Sequence, residues 1–272
     1  MTVRDALRAA TEKLSSTSES ARLDAELLMA HALETEREAM LLGHLDSESP
    51  AGFEALVERR AGHEPLAYIV GHREFWSLDF AVGPGVLIPR PDSETLIDAA
   101  LRTREDAPPT EILDLGTGSG ALLLAALSEW PDAHGVGIDR SETALGYARK
   151  NAARLGLSDR TQFRLGNWGE REAGRYDLIL CNPPYVERDA ALSPDIADFE
   201  PDAALFAADD GLAAYREIVP QLGRLLADGG IACLELGSGQ SAAVSGLCAE
   251  QGLKTAIARD LAGHDRCLLI HS

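Results

Sequence analysis

The chain has 272 residues, 45% apolar and 25% charged, enough for one large domain with a smaller companion. Its formal net charge of −19 disfavours duplex DNA as a partner, because non-specific affinity for a phosphate backbone comes mainly from Lys and Arg. Cys181, Cys233, Cys248 and Cys267 form no C-x-x-C pair, the start of the chain lacks the apolar core of a signal peptide, and the longest plain apolar run, Ala121 to Leu127, is too short to span a bilayer. Zinc or another metal, a disulfide framework and membrane insertion are therefore not expected, and a cytoplasmic location is.

Residues 1 to about 60 read as helices. Val3, Leu7 and Leu14 recur at helical spacing, as do Leu23, Leu27, Leu28, Ala30 and Leu33. Ser49 and Pro50 suggest the cap and first position of a helix carrying Phe53, Leu56 and Val57. His31 and His44 stand alone, as surface or packing residues do. We expect a small helical domain over residues 1–73, without catalytic groups of its own and suited to recognising a partner. A hairpin linker over 74–92 follows. There Trp76, Leu78, Phe80 and Val82 alternate as in a half-buried strand, and Gly83-Pro84-Gly85 ends it. Pro89 and Pro91 then fix a loop before a helix from about Ser93 to Arg104.

Residues 93–272 alternate strand and helix. Strands are expected at Glu111–Leu115, His134–Ile138, Thr161–Leu165, Tyr176–Cys181, Ile231–Leu236, Lys254–Ala258 and Arg266–His271. Helices are expected at Ala121–Glu129, Glu142–Leu155, Leu212–Leu226 and Ser241–Gln251. This order predicts an α/β fold with a doubly wound, mostly parallel seven-stranded sheet, whose ligands sit at the carboxyl ends of the strands.

Four such ends carry candidate chemistry. Gly116-Thr117-Gly118-Ser119-Gly120 follows the first of these strands at Asp114 and opens a helix, where free N–H groups suit an anion. With Ala121 the run fits G-x-G-x-x-A, so the loop alone does not separate a dinucleotide from S-adenosylmethionine. Asp139 ends the next strand and can accept from ribose hydroxyls, which both cofactors have. After the third strand, Trp168 is placed to pack on an adenine, or is an ordinary core tryptophan. The fourth strand ends in Asn182-Pro183-Pro184-Tyr185. Pro183 and Pro184 stop the ladder. The Asn182 side-chain carbonyl and the Pro183 carbonyl are two acceptors suited to a planar NH2 group, and Tyr185 offers a flat face for an amide or a base. Alternatively, Asn-Pro simply makes a turn.

Gly-rich loop, acid, aromatic and Asn-Pro-Pro-Tyr, on successive strand ends, resemble a class I S-adenosylmethionine-dependent methyltransferase acting on an amide or exocyclic nitrogen. Further runs resemble the bacterial release factor glutamine methyltransferases: Pro65 to Gly71, Glu74-Phe75, Leu87 to Glu94, Glu200-Pro201, Ala204 to Ala207, Asp210 to Leu212, Tyr215-Arg216 and Glu235 to Gly237. Ser93, often Thr in that family, and Val186, usually Ile, are small departures. The resemblance implies methyl transfer to the side-chain amide of the glutamine in the Gly-Gly-Gln motif of class 1 peptide chain release factors, giving N5-methylglutamine and S-adenosylhomocysteine. A monomer that does not act on DNA directly is expected. Carried over by motif, Gly116, Thr117, Gly118, Ser119, Gly120, Asp139, Trp168 and Asn182 hold the cofactor. Asn182, Pro183, Pro184 and Tyr185 hold the glutamine, with Asn182, Pro183 and Tyr185 catalytic, and the Ile88 to Pro91 loop closes over the site. An amide nitrogen is a poor nucleophile, so its orientation at a near-attack distance of roughly 3–3.5 Å is the main demand. A ribosomal-protein glutamine methyltransferase shares the corner, and in an N6-adenine DNA methyltransferase the corner would hold a flipped base.

Overall fold

The computed structural model describes residues 1–208 and 210–271. They divide into two compact units, one of Met1–His72 with Leu192–Phe199, the other of Arg73–Ala191 with Glu200 onward.

The first unit holds α1 (Val3–Leu14), α2 (Ala21–Ala32), α3 (Arg37–Gly43), α4 (Phe53–Ala61) and α5 (Leu66–Val70). Thr2 caps α1, its hydroxyl accepting from the Asp5 N–H at 3.2 Å. Leu14, Leu28, Met29, Met40, Phe53 and Val57 fill one core. α4 starts later than expected, at Phe53, after Gly52 with φ of 97°. Ser49 is not its cap, because the backbone there is extended and paired: the Ser49 N–H donates to the Met1 carbonyl, and Thr2 bridges Glu48.

In the second unit, β1 (His72–Phe75) and β2 (Leu78–Ala81) form a hairpin. The expected single strand through Trp76 is thus two strands. Trp76 and Ser77 both have positive φ, 54° and 59°, which matches the twist of a tight two-residue turn. Trp76 is held there by its backbone N–H on Glu94 and its indole N–H on Glu129.

α6 (Glu94–Thr103) leads to β3 (Glu111–Leu115), α7 (Ala121–Glu129), β4 (His134–Asp139), α8 (Glu142–Arg154), β5 (Thr161–Leu165), β6 (Tyr176–Cys181), β7 (Leu226–Glu235), β8 (Lys254–Arg259) and β9 (Asp265–His271). A helix Ala213–Leu225 precedes β7 and another, Ser241–Glu250, follows it. The seven-stranded sheet runs β5-β4-β3-β6-β7-β9-β8, parallel except where β9 opposes β7 and β8. β3 and β6 are almost wholly buried, as central strands covered on both faces must be. β7 begins at Leu226, five residues before its expected start. Asp228, Gly229 and Gly230 are absorbed into the strand as an irregularity, with Tyr176 paired to Leu226 and Leu178 to Ile231.

Chain order reverses between β3 and β6, so helices diverge there and leave a crevice at the strand ends. Buried Asn151 on α8 fixes one side of it. Its amide bonds the N–H and carbonyl of Ala81, at 2.7 and 3.0 Å, and the Ser119 carbonyl at 2.9 Å. We expect Asn151→Ala to cost roughly 2–4 kcal/mol by leaving these groups unpaired. Urea denaturation measures this, and an unchanged midpoint would show the contacts to be dispensable.

Candidate active site

A cavity lies at the carboxyl ends of the central strands. Gly116, Thr117, Gly118 and Ser119 line it after β3, Asp139 at the end of β4, Trp168 after β5, and Asn182 and Pro184 after β6. Val86, Leu87, Pro89 and Arg90 of the loop before α6 complete the wall. Of the residues singled out from sequence, Gly120, Pro183 and Tyr185 are not among its lining. Gly120 precedes α7 with φ of 83°, where a side chain would meet Leu124 and Ala148. Pro183 is buried. Tyr185 is half-buried and turns its hydroxyl to Glu235 at 3.1 Å.

The glycine loop needs its glycines. Gly116 and Gly118 have φ of 74° and 56°, and a Cβ on Gly116 would stand 3.2 Å from the Trp168 ring. The Asp139 carboxylate accepts from the Gly118 N–H at 2.9 Å and the Ser141 N–H at 2.8 Å. A carboxylate has about four acceptor directions, so it can take further donors such as a vicinal diol. Burial raises its pKa, and these N–H bonds oppose the rise. The Trp168 indole N–H donates to Glu217 at 2.8 Å, which fixes the ring on the cavity wall. An acceptor carboxylate, an aromatic ring and a close-approach glycine loop on one wall fit an adenosine-bearing cofactor.

Asp114, fully buried, accepts from the Thr117 hydroxyl at 2.6 Å, and burial pushes its pKa up to about 7.

At the corner after β6, the Asn182 side-chain nitrogen donates to Ser93 Oγ at 3.0 Å. Ser93 in turn donates to Glu235, which also receives the Tyr185 hydroxyl. Neighbouring segments hold this corner in place. The Val186 N–H donates to the Leu205 carbonyl, and the Ala207 N–H to the Val186 carbonyl. Gln240 donates to the Tyr185 carbonyl at 3.2 Å and accepts from the Gly237 N–H at 3.1 Å. Tyr215 donates to the Glu235 backbone carbonyl at 2.7 Å. A Cβ on Gly211 would stand 2.6 Å from the Tyr185 carbonyl.

Glu200, almost fully buried, fastens the proline loop. It accepts from the Ile88 N–H at 3.0 Å and is paired with Arg90.

Sequence reasoning counted Glu200 and Glu235 among the family-like runs without giving them a role, read Ser93 as a helix start and a small departure from that family, and passed over Asn151 and Gln240. Two signals were present. Glu235 is a charge at the end of an apolar strand, and Asn151 interrupts the apolar stripe of Ala144, Ala148 and Ala152. Among the described residues no group of three or more His, Cys, Asp or Glu could hold a metal ion, and no helix is long and apolar enough to cross a membrane.

A doubly wound sheet with a glycine loop, a strand-end acid and an Asn-Pro-Pro-Tyr corner around one cavity defines a class I S-adenosylmethionine-dependent methyltransferase. Comparisons with known proteins agree. Residues 5–71 match the family model of the PrmC N-terminal domain, and residues 107–260 match that of a methyltransferase domain. The release factor glutamine methyltransferase of Rhodospirillum rubrum is 44% identical, over 92% of this chain and 79% of that protein. That of Cereibacter sphaeroides is 42% identical, over 98% and 97%. The chain belongs to the release factor glutamine methyltransferase family. Its fold is also that of a ribosomal protein L11 methylase from Lactobacillus delbrueckii subsp. bulgaricus, at a TM-score of 0.52 and 20% identity, over 70% of this chain and 83% of the other.

Two tests follow from this geometry. The folded-state pKa of Asp114 lies above its unfolded value, so its ionisation destabilises the fold as pH rises from about 4 to about 7. Asp114→Asn removes that penalty, so its melting temperature relative to the unmodified chain is expected to rise between pH 5 and pH 8. A constant difference would contradict it. Glu200→Ala should free the Ile88 N–H, seen as faster amide exchange across residues 86–90 with the sheet unaffected.

Proposed function

We propose that this enzyme transfers a methyl group from S-adenosylmethionine to the side-chain N5 of the glutamine in the Gly-Gly-Gln motif of class 1 peptide chain release factors, releasing S-adenosylhomocysteine. The observation that carries the reading is the state of Asn182. Its side-chain nitrogen gives one of its two hydrogens to Ser93, which sets the amide so that Oδ1 is the acceptor it can offer to a ligand. An acceptor at that position suits a glutamine NH2 and repels a carboxylate, whose lone pairs would face it unpaired.

S-adenosylmethionine supplies, when bound, a methyl group activated by its sulfonium. Gly116 to Gly120, Asp139, Trp168 and Asn182 are the residues assigned to holding it. Asp139 would accept from the ribose diol, and Trp168 would lie against the adenine. Asn182 Oδ1 and the Pro183 carbonyl accept the two amide hydrogens, and Pro184 and Tyr185 bound the amide plane. Fixing both hydrogens sets the direction of the nitrogen lone pair and stabilises positive charge as it develops on nitrogen. No dedicated base is assigned, and the amide proton leaves to water after transfer. In this reading residues 1–73 recognise the protein substrate, the 74–92 hairpin and proline loop border the site, and 93–272 carry the chemistry. The reading also takes the enzyme to be cytoplasmic, monomeric and independent of DNA. The relatives' names support the substrate, since both are release factor glutamine methyltransferases.

Mass spectrometry of a release factor's Gly-Gly-Gln peptide, after incubation with this protein and S-adenosylmethionine, tests the reading. One added methyl on the glutamine is the expected result. A peptide left unmodified while a ribosomal protein is methylated would overturn the substrate assignment. Asn182→Ala is expected to lower kcat by about 10²-fold or more, a larger loss than the one in cofactor affinity. Normal turnover by that variant would defeat the orientation argument.

A further inference from the structure

Building on the amide-methylation reading, we propose that Glu235, acting through Ser93, is a positioning residue that sets which end of the Asn182 amide faces the cavity and so makes the site select an amide over a carboxylate. The geometry is a one-way chain. Glu235 ends β7 with its side chain buried, 1% exposed, and takes hydroxyl hydrogens from Ser93 and Tyr185. An ionised carboxylate only accepts. Ser93 has one hydroxyl hydrogen and spends it on Glu235, so toward Asn182 it presents lone pairs alone. The Asn182 atom 3.0 Å from Ser93 Oγ is then the amide nitrogen, and Oδ1 is the end left for a ligand. Asparagine is nearly symmetric in shape, so sterics alone do not choose between its two ends.

A purely structural role does not call for a carboxylate there. Burial of the group raises its pKa to about 7, so keeping it ionised costs stability that a neutral residue would spare. Its surroundings are mixed. Ser93 and Asp92 face it from the turn before α6, and Cys181 and Tyr185 from β6 and its corner. Arg266 and Cys267 face it from β9, and Tyr215 bonds its backbone. Arg266 is shared with Asp92 at 3.0 Å and Asp260 at 3.5 Å. Once Glu235 is protonated it can donate to Ser93, whose hydrogen is then free for Asn182 Oδ1. The amide can turn, its NH2 faces the cavity, and the acceptor for glutamine is lost.

The test uses the full-length chain with Glu235→Gln, Ser93→Ala and Ser93→Thr, each first checked for a cooperative melt and for binding of S-adenosylhomocysteine. Gln at 235 keeps the shape but can donate, so it no longer enforces a direction. We expect cofactor affinity within about 2-fold and a kcat about 10–100-fold lower on the Gly-Gly-Gln peptide. Inhibition by a Gly-Gly-Glu peptide should rise toward that of the glutamine peptide. In the unmodified enzyme kcat should climb with pH through about 7, and that limb should vanish in Glu235→Gln. Ser93→Ala should share the lost selectivity, and Ser93→Thr, which keeps the hydroxyl, should retain it. Wild-type selectivity and pH profile in Glu235→Gln would overturn the proposal. Should the unmodified chain leave the peptide untouched, the substrate reading fails. The orientation is then decided by the Asn182 side-chain NH2 resonances, identified by their loss in Asn182→Asp. They should shift with pH near 7 in the unmodified chain and not in Glu235→Gln, and resonances indifferent to both would overturn the proposal.

Discussion

Two crossovers leave the middle of the sheet in opposite directions, and everything at the site depends on that reversal. From β3 the chain proceeds through β4 to β5 on one side, whereas β6, β7, β9 and β8 lie on the other. Right-handed parallel connections then send the following helices to opposite faces, so no helix can close the crevice over the ends of β3 and β6. The glycine loop borders it from one strand, Asn182 from the next. The β3–β6 register pairs Asp114 with Leu180 and Leu115 with Cys181, so the two strands reach their loops almost level.

Around this crevice, irregular segments are pinned by buried polar side chains rather than by further strands. Asn151 ties the hairpin to the glycine loop, Glu200 ties the proline loop, and Gln240 and Tyr215 tie the elements behind Tyr185. Such groups are costly to bury and are tolerated where their partners are complete. They hold backbone at fixed positions without filling the cavity, which a large apolar residue in the same place would do. The net charge of the chain is strongly acidic, yet the acids that matter here are few and inward-facing, and their chemistry is set by burial and neighbours rather than by the overall field.

Much of this was legible from order alone. Tyr176–Cys181 had to end at Pro183, because proline cannot continue a ladder, and Glu111–Leu115 and Thr161–Leu165 carry the same boundaries in the structure as in the pattern. Where the reading slipped, the local signal was true but outvoted. Gly229 and Gly230 are turn formers, yet the flanking residues found partners on β6 and the strand ran through them. Pro50 suits a first helical turn, yet Ser49 pairs with Met1, at the far end of the segment.

The sequence by itself determined the class of fold, the glycine loop and the chemistry available at each strand end, because those rest on side-chain type and on spacing along one strand and its loop. Only the tertiary structure decided which residues meet. Ser93 and Glu235 are separated by 142 positions, Ile88 and Glu200 by 112, and Ala81 and Asn151 by 70. No local periodicity encodes a hydrogen bond across such distances. It forms because hydrophobic burial on both faces of the sheet brings the strand ends into one place and strips them of water. There each polar group must find its partner among whatever neighbours the topology supplies.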